Sequence, residues 1–163
     1  MIKVLYPGSF DPITYGHMNI VEQACDLFEE VIIAVMNNSA KKTMFSIDER
    51  VQLISTLYKD NPKIKVVAGY GATIDLAIAN NCKVIIRGLR TLTDFEYEIQ
   101  MSQINRQISQ KKVNTISLFA ENDFENISSS MVKEILSLDK DISLYVPPIV
   151  ENALKEKFIT NKR

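Results

Sequence analysis

The sequence predicts an α/β fold, a doubly wound five-stranded parallel sheet in a single domain spanning residues 1–163. Three observations carry that expectation. Five short apolar runs rich in β-branched residues alternate with stretches of helical periodicity, which makes crossover connections and parallel pairing the natural solution. The second run, Val31 to Met36, is apolar at every position, as in a strand buried on both faces. A chain of 163 residues is large enough to bury a core and too short for two ordinary domains.

Taken in order, Ile2 to Tyr6 is the first strand, and Pro7 and Gly8 are expected to stop it. Ile20, Val21, Ala24, Leu27 and Phe28 then recur at helical spacing, so Thr14 to His17 should form a helical first turn with its unpaired amides facing outward. The polar loop from Asn37 to Phe45 carries Lys41 and Lys42. A capping box, Ser46-Ile47-Asp48-Glu49, closes the loop and opens a helix to about Tyr58 with Val51, Ile54 and Leu57 inward. Ile64 to Ala68 is the third strand. Gly69-Tyr70-Gly71 follows it, but the third glycine of a dinucleotide fingerprint would fall at Ile74, which rules that reading out.

A short helix from Thr73 to Asn80 should turn Ile74, Ala77 and Ile78 inward, and Val84 to Ile86 gives the fourth strand. Arg87-Gly88-Leu89-Arg90 then sits at that strand's C-terminal end, the edge at which open parallel sheets bind ligands. Thr93-Asp94-Phe95-Glu96 reads as a second capping box, opening the longest helix. That helix runs to about Ser109 with Tyr97, Met101, Ile104 and Ile108 on one face and Glu98 off it. Asn114 to Phe119 is the fifth strand, Ser128 to Leu138 a serine-capped helix, and Pro147 to Phe158 a last helix.

Composition narrows the function classes. Hydrophobic residues at 46% exclude disorder, and a net charge of −1 argues against a general nucleic-acid binder. No apolar run approaches the roughly 18 residues needed to span a bilayer, and no signal-like segment opens the chain, so a cytoplasmic protein is expected. Cys25 and Cys82 lie far apart without a Cys-x-x-Cys or Cys/His cluster and read as buried thiols.

Four clusters could carry chemistry, and each has a plainer reading. His17, the only histidine, sits where a helix start attracts anions and can add a donor to a phosphate, although a lone histidine is more often structural. Gly16 would let the backbone approach that phosphate closely. Arg87 and Arg90 flank Gly88, and guanidinium forks suit phosphate oxygens as well as surface salt bridges. Lys41 could be an ordinary solvated loop lysine. Ser128, Ser129 and Ser130 could cap a helix, yet three hydroxyls exceed that need and make a second anion site.

Thr14-Tyr15-Gly16-His17, directly after a strand and opening a helix, resembles the signature of the nucleotidylyltransferase superfamily. The longer string Tyr6-Pro7-Gly8-Ser9-Phe10-Asp11-Pro12-Ile13-Thr14-Tyr15-Gly16-His17 resembles the phosphopantetheine adenylyltransferase family in particular. Lys41-Lys42-Thr43-Met44-Phe45, Arg87 to Arg90 with Asp94-Phe95-Glu96-Tyr97-Glu98, and Ile127 to Ser130 continue the likeness from Lys3 to about Phe158. The resemblance implies a Rossmann-like sheet and transfer of AMP from ATP to 4′-phosphopantetheine, giving dephospho-coenzyme A and pyrophosphate.

The resemblance also implies roles. Ser9 and Phe10 would line a pocket shared by both substrates, with the Ser9 hydroxyl orienting the attacking phosphate. His17, Lys41 and Arg90 would meet the charge that develops on the α-phosphate. Gly88, Leu89, Arg90 and Glu98 would contact ATP, as would Phe124, Glu125, Asn126, Ile127, Ser128, Ser129 and Ser130, with the serines at the leaving pyrophosphate. Lys41, Thr73 and Arg87, with Ser9, would hold phosphopantetheine. Phe124-Glu125-Asn126 departs from the family's pattern of an aromatic, a serine and another aromatic. Mg²⁺ is expected on the ATP phosphates, coenzyme A as a feedback inhibitor, and a homohexamer as the assembly; neither nucleic acid nor membrane is an expected partner.

A phosphate monoester is already anionic at neutral pH, so it needs no base as a nucleophile, and the sequence offers no carboxylate–histidine pair to supply one. Two other readings compete. A nucleotidylyltransferase with another acceptor, such as nicotinamide mononucleotide, would keep the Thr-x-Gly-His block but lack the match at Lys41 and Arg87. A sensor would bind ATP or coenzyme A without turnover.

Overall fold

Strands β1 (Lys3–Gly8), β2 (Glu30–Met36), β3 (Ile64–Gly69), β4 (Val84–Leu89) and β5 (Asn114–Phe119) form one sheet in the order β3-β2-β1-β4-β5. Every pairing is parallel. The computed structural model describes residues 2–37, 42–89 and 92–161. Within them the helices are α1 (Tyr15–Leu27), α2 (Ile47–Leu57), α3 (Thr73–Ala79), α4 (Leu92–Ile108), α5 (Ser129–Ser137) and α6 (Pro148–Asn161).

Alternation along the strands divides the interior into two cores. Val4, Tyr6, Val31, Ile33, Val35, Ile86 and Leu118 face one core, which α1, α2, α5 and α6 close with Ile20, Val21, Ala24, Ile54, Val132, Leu136, Val150 and Leu154. Leu5, Ile32, Ala34 and Ile85 face the other, where α3 contributes Ile74 and Ala77. Each valine, leucine or isoleucine among them stabilises the fold by about 1.5–3 kcal/mol when taken from water, before entropy is counted. Helices on both faces of a parallel sheet make this the doubly wound α/β arrangement the sequence predicts.

Local rules account for several element ends. Ser46 Oγ accepts from Glu49 N while Glu49 Oε2 accepts from Ser46 N, the reciprocal capping box expected at the start of α2. Thr93 lies within α4, which begins at Leu92, and the side chains of the second capping box, Thr93 and Asp94, lie outside the described residues. β1 does not stop at Tyr6. It runs through Pro7 and Gly8 because pairing with β2 continues, Pro7 opposite Ala34 and Gly8 opposite Val35. β4 likewise runs to Leu89, which places Arg87 and Gly88 within the strand's last turns of pleat.

The expected inward faces of α3 and α4 are only partly buried. Ile78 is 46% exposed, and on α4 Tyr97, Ile104 and Ile108 are 59%, 47% and 61% exposed. Helical spacing identifies an apolar stripe but not what covers it, and among the described residues the smaller core includes no side chain of α4. Of the two thiols, Cys82 is buried and Cys25 only half-buried.

Gly16 lies close against the backbone of residues 124–127. A Cβ there would stand 2.9 Å from the Ile127 carbonyl oxygen and 3.1 Å from that of Phe124, so what the glycine admits is the 124–127 backbone. Gly16→Ala should therefore destabilise the protein by about 1–3 kcal/mol, read as a lower Tm in thermal unfolding. A Tm equal to wild type would mean that the 124–127 segment yields without cost.

Candidate active site

Pairing between β1 and β4 covers only Val4 with Val84 and Leu5 with Ile85. Beyond it the strands part, at the point where the sheet order reverses direction and ligand crevices form. Tyr6, Pro7, Gly8, Phe10, Gly16, His17, Ile20, Arg87, Gly88, Ala120 and Ile127 line the opening. Pro7 has no N–H to offer a neighbour, and its carbonyl accepts from Arg87 Nη1 at 3.4 Å.

Phe10 shapes the floor. Its backbone has φ +46°, in the left-handed region, and its ring is buried at 2% exposure beneath Gly8, where a Cβ would come within 2.8 Å of Phe10 Cζ. The ring packs edge-on against Tyr6 at 5.3 Å and His17 at 5.1 Å. Any direct contact of Phe10 with a ligand is thus confined to its backbone and ring edge.

His17 closes a capping box with Thr14. Thr14 Oγ1 accepts from the His17 amide at 3.4 Å, and His17 Nδ1 accepts from the Thr14 amide at 3.1 Å, with the Thr14 hydroxyl 2.9 Å from the same nitrogen. A ring nitrogen that accepts a backbone N–H carries no proton, so the neutral imidazole is protonated at Nε2 and acts there as a donor. The histidine is therefore structural and chemical at once. The outward amides expected at this helix start are fewer: Tyr15 N donates to Tyr145 O at 2.9 Å and His17 N is capped, leaving Gly16 N without a partner among the described residues.

Arg87 divides the crevice from a second pocket lined by Gly71, Thr73, Ile74, Arg87, Tyr97, Glu98, Met101 and Asn105, among others. Its Nε and Nη2 donate to Glu98 Oε1 at 2.9 and 2.5 Å. Thr73, Arg87 and Glu98 thus come together on one side, and Phe10, His17, Arg87, Gly88 and Ile127 on the other. Leu89 is buried at 5% exposure, so its side chain belongs to the core. Lys41 and Arg90 lie outside the described residues.

The serine run divides its labour. Ser128 is the N-cap of α5, its Oγ accepting from Met131 N at 3.2 Å, as the plainer reading has it. Ser129 Oγ donates to Pro12 O at 2.8 Å and ties α5 to the first loop, while Ser130 is exposed. Phe124 is half-buried and Glu125 and Asn126 are exposed. The carbonyls of Phe124 and Ile127 against Gly16 are what bring this segment to the crevice.

Two charged residues that sequence reasoning passed over lie just behind the site. Asp11 and Arg50 are 4% and 1% exposed. Burial lowers the Arg50 guanidinium's hold on its proton, and the Asp11 charge opposes that effect. Asp11 also takes in Lys133 Nζ at 2.8 Å, and Ser9's carbonyl accepts from Arg50 Nη1 at 2.6 Å. A signal existed for Arg50: it precedes Ile54 by four positions and so shares the inward face of α2.

Residues 5–135 match a family described as cytidylyltransferase-like. Relatives from Geobacter metallireducens and Geobacter sulfurreducens, each named phosphopantetheine adenylyltransferase, are 49% and 47% identical over 154 residues, covering 94% of this chain and 94% and 93% of their own. Among solved structures, the Plasmodium falciparum nicotinic acid mononucleotide adenylyltransferase complexed with NaAD has a TM-score of 0.68 at 17% identity, covering 99% of this chain and 96% of that one. A lipopolysaccharide core biosynthesis protein from Thermoplasma volcanium has a TM-score of 0.55 at 19% identity, covering 74% of this chain and 97% of its own. At those identities the two structures support the fold alone.

The Arg87–Glu98 pair generates a prediction about anion binding. Glu98→Gln removes the charge that occupies the guanidinium fork, so a simple phosphate monoester should bind about two- to fivefold more tightly by calorimetry, the worth of a partly exposed ion pair. Adding Arg87→Ala should erase the gain. Equal affinities for wild type and Glu98→Gln would mean that Arg87 does not meet the phosphate.

Proposed function

The chain belongs to the phosphopantetheine adenylyltransferase family, and we propose that its crevice performs the family's reaction by alignment and charge stabilisation, without a general base. The enzyme transfers the adenylyl group of ATP to 4′-phosphopantetheine, giving dephospho-coenzyme A and pyrophosphate. A phosphate oxygen of phosphopantetheine attacks the α-phosphorus, the bond from that phosphorus to the bridging oxygen breaks, and pyrophosphate leaves. The attacking oxygen is already anionic, so no proton has to be removed. The observation that carries this reading is the occupation of His17 Nδ1 by the Thr14 amide, which makes the ring a donor at Nε2.

In this reading His17, with Lys41 and Arg90, meets the negative charge on the α-phosphate. Arg87 and Thr73 take phosphopantetheine in the second pocket, and Ser9 orients its phosphate. Glu98 releases Arg87 to that phosphate and turns to ATP. The backbone of Gly88 and Leu89 and the segment from Phe124 to Ile127 border the nucleotide, and the helix start at Ser128, Ser129 and Ser130 receives the leaving pyrophosphate. Among the described residues no three His, Cys, Asp or Glu side chains cluster to hold a metal. We place Mg²⁺ on the ATP phosphates, as part of the substrate, and no step is assigned to it.

The proposal extends to assembly, regulation and location. Residues 1–163 act as one domain in a homohexamer, a reading supported by the exposed apolar side chains Tyr97, Ile104 and Ile108 on α4 and Phe119 on β5. Coenzyme A, which contains the phosphopantetheine moiety, would compete for the same pocket as a feedback inhibitor. We place its work in the cytoplasm; among the described residues no helix is long and apolar enough to cross a membrane.

Pyrophosphate release from ATP, Mg²⁺ and 4′-phosphopantetheine, compared with nicotinamide mononucleotide as acceptor, tests the function. Release with the first acceptor is expected; release with neither would leave a binding protein. His17→Ala should lower kcat by about 10²–10³-fold while the protein still folds, at a lower Tm because the Thr14 capping box and the ring contact with Phe10 are lost. Near-normal kcat would remove His17 from the mechanism. Pantetheine lacking its phosphate should be inert, because its hydroxyl would need a base; measurable AMP transfer to it would contradict the baseless mechanism.

A further inference from the structure

Neither Asp11 nor Arg50 lines the crevice, yet both fasten the loop that carries Phe10 into it to the segments behind it. From α2, Arg50 Nη1 donates to Ser9 O at 2.6 Å and to Met36 O at 3.1 Å, and Nε donates to Ser46 O at 3.3 Å. Asp11 accepts from Met44 N at 2.9 Å through Oδ2, from Phe45 N at 2.9 Å through Oδ1, and from Lys133 Nζ at 2.8 Å. One buried set of hydrogen bonds thereby spans the first loop, the end of β2, residues 44–46 and α5.

Stability alone does not call for such a set. Burying charges costs more than their attraction returns in many proteins, and well-packed apolar residues of similar volume are often as stable or better. What apolar residues cannot do is fix a carbonyl and two amides in register, because dispersion contacts have no direction. Arg50's fork holds the carbonyl of Ser9 directly, and Asp11 lies three positions before the N-cap Thr14 that orients His17. The same carboxylate holds Lys133, one turn beyond the serines that open α5.

We propose that Asp11 and Arg50 are positioning residues for adenylyl transfer, locking the Ser9–Thr14 loop, the end of β2 with residues 44–46, and the start of α5 into the spacing that in-line attack requires. The inference rests on the adenylyl-transfer reading above. Neither residue touches substrate; each acts through the groups it holds.

The test compares Arg50→Met, Arg50→Lys and Lys133→Met with wild type in the pyrophosphate-release assay, at a temperature where circular dichroism shows each protein folded. Arg50→Met should lose about 10²-fold in kcat, the scale of a misplacement of roughly 1 Å at the reacting atoms. Arg50→Lys, which keeps one donor, should recover part of it. Lys133→Met is the safer truncation, since the side chain is 28% exposed, and should lose about tenfold as one charge-assisted bond is removed. A role confined to stability would lower Tm and leave kcat of the folded variants within about twofold of wild type; that result overturns the proposal. If Arg50→Met does not fold, unchanged kcat in the other two variants overturns it equally. A wild-type protein without turnover sinks the functional reading itself, whereas an active wild type beside unimpaired variants sinks only this inference.

Discussion

A central strand that contains proline cannot complete hydrogen-bond ladders on both of its sides, and much of this molecule follows from that constraint. Pro7 continues β1 beside β2 but brings no N–H, and β4 parts from β1 after Leu5. The parted strands leave a carbonyl and an opening where a continuous sheet would leave neither. Arg87 fills the role of the missing ladder by reaching across to the Pro7 carbonyl, and in doing so becomes the wall between two pockets. Phe10, turned by its positive φ under Gly8, closes the floor beneath the gap.

Around that opening the helices are secured by directional bonds that apolar packing alone would not provide. Asn19, 5% exposed, accepts from Glu121 N at 3.1 Å through its Oδ1 and so docks α1 on the chain leaving β5. Ser129 does the same for α5 against Pro12, and Tyr145 for the start of α1. The larger core supplies the bulk of the stabilisation, and these bonds set its registration, since dispersion forces fix distances better than directions. A site that works by alignment needs the second kind of contact as much as the first.

Much of this was legible in the residues. The Ser46–Glu49 box, the five apolar runs and the helix opened by Thr14 are local patterns with local causes, and all appear where the sequence places them to within a few residues. The readings that fail are those in which a distant partner decides. Pro7 and Gly8 stay in β1 because β2 still pairs with them; the α4 stripe stays exposed because nothing among the described residues covers it. The Asp11 and Arg50 contacts link segments far apart in the chain, and no spacing rule announces them. Ser128 shows the opposite: it looks like a cap and is one, and its neighbour Ser129 finds a use in packing that its place in a serine run does not suggest.

The two cysteines bear on a hazard peculiar to this chemistry, because phosphopantetheine and its adenylylated product both end in a thiol. Disulfide exchange proceeds through a thiolate, and its rate follows the thiolate fraction and access to solvent. Burial pushes the Cys82 thiol up to about 11, and burial likewise raises Cys25 despite the opposing pull of Lys63. Cys82 is also closed off at 3% exposure beneath α3. Oxidised pantetheine compounds therefore meet protein thiols that yield the attacking thiolate less readily than an exposed cysteine would. Both cysteines are thereby less disposed to capture a thiol-ended substrate or product as a mixed disulfide.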